Sequence, residues 1–465
     1  MTKKLAGAID ALFFSGPRLR NLGMLFVLEA ILRLPALLLV IADPNRATPP
    51  GDAPGYFLLA ANLFHHGAFS QSAAAPFLPD AFRTPGYPGF LWLILAPTGF
   101  SKVAVAMAQS VLHALTGLLL VRLGEKAFGS YRAGFGAAVL WSLAPLPAVF
   151  AGMLLSEIFF TFVFILLLWI LLHPAYLRAG IGGAVLGLGI LIRPIAVLVW
   201  PAALPALWAG SDIRQTLAKS ALFSAALLAV IGPWVYRNAA VFGKPSLAAV
   251  QGYNLLEYNA AGYVSVRDGI RLTDARKIVD AEYRLYLQNE NIRPATMAEE
   301  SDAMTAVALR ILAADPVRSV LFNGWTSLNI FRPGVSYFIM FLDPAGLTPT
   351  DLSEGELSPA ASHLDRPAIL LATILLTAFY GGLYLLAGAG LLRLIRNRNW
   401  RLLAWFGLPC LLLFYAPGIA NNARFRIPLE PVLCLLAAVG LGALIEWGKT
   451  VRARRFEKDR PARGA

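Results

Sequence analysis

Long apolar runs recur from one end of this chain to the other, and they constrain it more than any other feature. "LFVLEAILRLPALLLVIA" (25–42) and "LFSAALLAVIGPWV" (222–235) are typical. Each approaches the ~20 apolar residues that a helix needs to cross a bilayer, and several in one chain describe a polytopic membrane protein. Only 14% of the residues are charged, against roughly 25% in soluble domains. The hydropathy pattern predicts helices near 22–41, 102–121, 133–150, 157–172, 180–192, 194–209, 219–236, 367–391, 402–417 and 427–445.

The formal charge of +13 would suit a nucleic-acid binder if it formed one basic face with stacking aromatics. It is distributed otherwise. Counted from an N-terminus placed inside, alternate loops and both ends hold 21 of the 40 Lys and Arg, whereas residues 42–101 hold two, Arg46 and Arg83. That is the positive-inside pattern: it predicts cytoplasmic termini and excludes nucleic acid as the partner. Cys410 and Cys434 fall within predicted spans, so neither a disulfide framework nor a thiolate metal site is expected. The first apolar run has no small-residue cleavage site after it and reads as a retained helix.

Two outer loops are large on this topology. Residues 42–101 contain "PGYFLLAANLFHHG" and "RTPGYPGF", which suit short interfacial helices and a turn. Residues 237–366 hold 15 of the 27 acidic residues. There Ile278, Tyr283, Tyr286 and Leu287, then Met304, Val307, Ala308, Ile311 and Leu312, recur at helical spacing and predict a small helical domain on the membrane. The stretch 317–341 fits either an interfacial hairpin or two short membrane helices. The organisation expected is an N-terminal transmembrane module (1–236), an outer helical region (237–366), C-terminal helices (367–446) and a basic cytoplasmic tail (447–465).

Asp52, Arg83, Glu157, Arg237, Arg424 and Arg426 all fall at outer ends of spans or in outer loops, and their convergence suggests a shared cavity. The residues alone leave two readings for each. Asp52 is a helix or turn cap, or a general base. Arg83 is solvated or bound to a lipid phosphate. Glu157, with Ser156 as a cap, favours a helix N-terminus, or binds substrate. Arg193 is costly between two apolar runs and calls for a carboxylate or a phosphate. Arg237, Arg424 and Arg426 suit anion binding, because a guanidinium donates in pairs and keeps its proton, or simple anchoring. Glu29 and Arg33 are spaced to neutralise each other, His113 reads as packed, and His65–His66 is a poor metal pair. No P-loop, dinucleotide fingerprint or zinc-protease motif occurs.

The ordered motifs Asp-x-x-x-Tyr (52–56), "LAANLFHHGAFS", "RTPGYPGFLWL", "SEIFF", "GLGILIRP", "PWVYRNAAVFG", "GYNLLEYN" and "ARFRIPLEPVL" resemble those of bacterial C-type (GT-C) membrane glycosyltransferases. These are relatives of protein O-mannosyltransferases and of the lipid A aminoarabinose transferase. The resemblance runs from about residue 22 to 446. It implies an all-α bundle of about 10–12 transmembrane helices, a polyprenyl-phosphate sugar as donor, and inverting transfer to a glycan, lipid or protein on the periplasmic side of the inner membrane. It implies Asp52 as catalytic base, with Arg83 (a Lys in the lipid A relatives), Arg237, Arg424 and Arg426 near the donor phosphate. Tyr56, Glu157, Tyr253 and Asn254 are then expected to bind substrate. Ala53 stands where the mannosyltransferase relatives carry Glu, which weakens any two-carboxylate or metal role. No cofactor is required on this reading; a divalent metal is compatible with it but not indicated. The rival expectation is a transporter or flippase for lipid-linked sugars, which would need polar groups at the membrane midplane.

Overall fold

A computed structural model describes residues 18–208, 210–342, 366–418 and 422–458. The tail beyond 458 and most of the 343–366 stretch lie outside them. Among the described residues the chain is helical without strands, as expected for an all-α membrane protein.

Five of the predicted spans are long, continuous apolar helices: α1 (Arg18–Ala42), α4 (Lys102–Phe128), α9 (Ile213–Phe242), α14 (Arg366–Arg396) and α16 (Glu430–Lys458). Between α1 and α4 stand α2 (Asp52–His66) and α3 (Gly86–Leu95). The span expected over 133–150 breaks into α5 (Tyr131–Leu143) and α6 (Pro145–Ala151), bent by 62°. Pro145 has no N–H to continue the ladder, so the helix restarts there. The runs near 157, 180 and 402 form shorter helices, α7 (Glu157–Ile170), α8 (Tyr176–Ile192) and α15 (Trp400–Tyr415), and Pro194–Trp208 is broken. Among the described residues five helices, or six with the bent pair, are long and apolar enough to cross a membrane. The ten helices read from hydropathy, like the 10–12 that the resemblance implies, therefore include segments that proline and polar ends keep short.

The helices pack closely where glycines meet. A Cβ on Gly390 would lie 2.0 Å from the Leu436 carbonyl oxygen, and one on Gly440 would lie 2.0 Å from that of Leu386. The reciprocal pair lets the backbones of α14 and α16 approach as small residues do in membrane interfaces. α1 is fastened differently. Glu29 Oε2 lies 3.2 Å from Arg33 Nε and 3.1 Å from His113 Nδ1, and Ser142 Oγ donates to Glu29 Oε1 at 2.7 Å. His113 also stacks on Trp141. The expected Glu29–Arg33 pair is thus part of a buried set that ties α1 to α4 and α5.

The outer helical stretch builds a second apolar core. α10 (Leu272–Asn289) and α11 (Met297–Ala313) bury Tyr283, Val307, Ala308 and Ile311 against Leu256, Tyr263 and Val264. Val279 takes the buried position expected of Ile278, which is 41% exposed. The ambiguous 317–341 stretch forms two short helices, α12 (Pro316–Ser327) and α13 (Val335–Leu342).

Candidate active site

The charged residues gather at one end of the helix bundle. α7 starts there with Glu157, Arg193 directly follows the end of α8, and Arg424 lies in the short helix Ala423–Arg426 between α15 and α16. The basic side chains that open α8 and α9 (Arg178, Arg214) and close α4 and α14 (Lys126, Arg393, Arg396) sit at the opposite ends of their helices.

Asp52 opens α2 after Gly51, whose φ of 104° is a conformation side chains rarely adopt. Its carboxylate makes no cap bond, so the local reading of Asp52 as a cap does not hold. Its two oxygens are instead taken by two arginines: Arg83 Nη2 donates to Oδ1 at 2.5 Å and Arg424 Nη2 to Oδ2 at 2.5 Å. Arg424 Nε also donates to Glu157 Oε1, and Arg193 Nη1 reaches that same oxygen at 2.8 Å. The result is a continuous series, Arg83–Asp52–Arg424–Glu157–Arg193. Ser156, expected as a cap, makes no side-chain cap bond either.

Burial alone would raise the Asp52 carboxyl, but Arg424 and Arg83 more than offset it and hold it below the usual carboxylate range. The Arg83 guanidinium lies 5.0 Å from the ring centres of both Tyr56 and Phe82, contacts that favour a cation over an aromatic face. Backbone N–H of Arg83 donates to Asp80 Oδ1 at 3.0 Å and fixes the loop that carries it.

These residues line a cavity of about 500 Å³. Asp52, Tyr56, Arg83, Arg193 and Arg424 form its charged side, with Tyr253, Asn254, Tyr258 and Asn259 on another wall and Ile195, Val197, Leu198 and Pro417 supplying apolar surface. Asn254–Ala260 is a π-helical turn inside an otherwise α-helical stretch. Such turns are frequent at functional sites because they re-aim neighbouring side chains.

Three placements depart from the sequence reading. Arg237 is not on the cavity wall: it donates to the Asp80 carbonyl at 2.7 Å and to Asn238 Oδ1 at 2.9 Å, over Trp234. Arg426 is fully buried, donates to the Ile330 and Arg332 carbonyls at 2.9 and 2.8 Å, and lies over Tyr380. Both anchor backbone where the donor phosphate was expected. Glu157 is fully buried and lies behind the wall, touching Arg424 and Arg193 rather than the cavity. Arg193, expected to pair with a carboxylate or a phosphate, does pair with Glu157 and also lies on the cavity wall. Among the described residues no three His, Cys, Asp or Glu side chains gather as a metal group. His65 stacks on Phe100 and His66 on Phe77.

Arg426→Met is accordingly expected to lower stability by ~3–5 kcal/mol, because fully buried Glu430 loses its cation and two carbonyls lose their donor. Affinity for an anion in the cavity should be unchanged. A loss of affinity at full stability would return Arg426 to the site.

Fold and cavity define a multi-pass, all-α membrane protein with a cationic pocket at one end of its bundle. Residues 82–236 match the family model of dolichyl-phosphate-mannose-protein mannosyltransferase. That match and the motif order agree in making the chain similar to polyprenyl-phosphate-sugar-dependent glycosyltransferases of the C-type. It spans Arg83, Glu157 and Arg193 and stops short of Asp52 and Arg424. Two solved structures are similar: ArnT from Cupriavidus metallidurans bound to undecaprenyl phosphate, at TM-score 0.39 and 15% identity, and the apo state, at 0.40 and 14%. Each alignment covers 90% of this chain and 78% of the other. No curated protein matches the sequence.

Proposed function

We propose that this protein is an inverting glycosyltransferase that moves a hexosyl or pentosyl group from a polyprenyl-phosphate donor to an envelope glycan, lipid or protein. The observation that carries the reading is the pairing of one partly exposed carboxylate with three guanidinium groups, two of them bonded to it, on the wall of a cavity with apolar surface. An acid is needed to take the acceptor hydroxyl's proton, and fixed cations are needed where the leaving phosphate gains charge.

In the reaction, Asp52 takes the proton as the acceptor oxygen attacks the anomeric carbon. The bond from that carbon to the phosphate oxygen breaks on the opposite face, so configuration inverts. Arg83, Arg424 and Arg193 receive the departing polyprenyl phosphate. Glu157 positions Arg424 and Arg193, and Ile195, Val197 and Leu198 suit the first isoprene units. Tyr253, Asn254, Tyr258 and Asn259 combine flat apolar rings with amides, the chemistry that fits a sugar ring. Positioned arginines meet the charge of the leaving group, so the reading requires no cofactor.

The reading places the cavity on the periplasmic side of a bacterial inner membrane, with both termini cytoplasmic. Support comes from the basic helix ends, which lie away from the cavity, as the positive-inside rule requires of the cytosolic side.

The test is to incubate purified protein with a polyprenyl-phosphate sugar and an envelope extract and to follow release of polyprenyl phosphate. Acceptor-dependent release is expected. Movement of intact donor across vesicles without release would favour a flippase instead.

A further inference from the structure

Asp52 holds the guanidinium groups that a donor phosphate would need. Both of its oxygens are bonded at 2.5 Å, one to Arg83 and one to Arg424, and both arginines face the cavity. A guanidinium donates to carboxylate and phosphate oxygens alike, and each of these arginines spends one N–H on Asp52. An incoming phosphate therefore meets arginines that are already occupied by an internal anion.

The second acid of the series behaves differently. Glu157 is fully buried and bonded from behind by Arg424 and Arg193, whereas the Asp52 side chain is 25% exposed and lies on the wall. An entering anion can replace Asp52 on its arginines and cannot replace Glu157. Charge points the same way. Three guanidinium groups and two carboxylates leave one net positive charge, which a monoanionic phosphodiester neutralises.

Resting on the polyprenyl-phosphate reading above, we propose that Asp52 is a built-in occupant of the donor's phosphate site. Donor binding displaces it from Arg83 and Arg424 and so releases it as a base. Glu157 and Arg193 keep Arg424 in place while the exchange occurs. Before the donor arrives the carboxylate is neutralised by two cations and has little tendency to take a proton, consistent with its carboxyl being held below the ordinary range. After the exchange those cations serve the phosphate, and the carboxylate faces the acceptor with its basicity restored. The site thereby ties activation of the base to the presence of the donor, and binding is ordered, donor first.

The test is equilibrium binding of farnesyl phosphate to the full-length protein in detergent, with farnesol as the phosphate-free control. Removing the competing carboxylate in Asp52→Asn should lower the Kd by roughly tenfold, the scale of a charge-assisted hydrogen bond that no longer has to be broken. Asp52→Ser should do the same, which keeps the test open if one variant folds poorly. Glu157→Gln should not tighten binding, although it removes the same charge, because that acid does not compete for the site. Farnesol affinity should be equal in wild type and variants. Unchanged or weaker binding in both Asp52 variants overturns the exchange. Equal tightening in Glu157→Gln, or tightening towards farnesol, overturns it as well. If wild type binds farnesyl phosphate and the variants bind no better, only this inference falls. If none of the proteins binds it, the polyprenyl-phosphate reading falls too.

Discussion

Asp52→Asn is expected to reduce sugar transfer at saturating donor by about 10²–10⁴-fold, the usual contribution of a general base. The substitution keeps the size of the side chain and its place at the start of α2. It removes the group that receives the acceptor's proton, and it leaves Arg83, Arg193 and Arg424 to hold the phosphate. The loss should therefore appear in turnover while donor binding is kept or tightened, which distinguishes it from the loss of a binding group. Asp52→Glu is a useful companion. It restores a carboxylate but moves it by one methylene, and a misplacement of about 1 Å in a proton-transfer group can cost on the order of 10²-fold. Transfer by Asp52→Asn within a few-fold of wild type, measured as polyprenyl phosphate released under saturating donor, would remove Asp52 from the role.

Much of the frame was legible because a run of about twenty apolar residues has few other fates in a membrane protein. α1, α4, α9, α14 and α16 lie where those runs are, and Gly390 and Gly440 do not alter that reading. The failures fall at Pro145 and Pro194, although α1 and α9 run through Pro35 and Pro233 unbroken, so a proline alone does not mark an interruption. The bend at Pro145 and the broken stretch after Arg193 have the hydropathy of a span and the backbone of an interruption.

The site was legible in kind and less so in membership. A carboxylate or guanidinium at a span end is costly enough to need a partner, which drew attention to Asp52, Glu157, Arg193 and Arg424. The partners themselves lie as far apart in sequence as Asp52 and Arg424, and no local spacing reports such a contact. Arg237 and Arg426 carry the same signal as Arg424 and resolve it with main-chain carbonyls. Carbonyl and phosphate oxygens both satisfy a guanidinium, so residue type cannot separate an anchor from a ligand. Only the position of the cavity does.

Arg424 is where stability and chemistry meet, and Arg424→Met is expected to damage both. It is the one side chain in the series bonded to both acids, Asp52 and Glu157. Without it two carboxylates remain close together, and Glu157 is fully buried with Arg193 as its remaining cation. Breaking a buried ion pair by deleting one partner typically costs ~3–5 kcal/mol, because the surviving charge has no solvent to return to. Asp52 is partly exposed and can rehydrate, so most of the penalty should arise at Glu157. The double variant Arg424→Met/Glu157→Gln should then be more stable than Arg424→Met alone, a positive coupling that a double-mutant cycle of melting temperatures measures. Activity should not return with stability, since a donor phosphate would still lack one of the guanidinium groups on the cavity wall. Recovery of both together would make Arg424 a structural cation only. A single variant that melts like wild type would show that the Asp52–Arg424–Glu157 series does not hold this end of the bundle together.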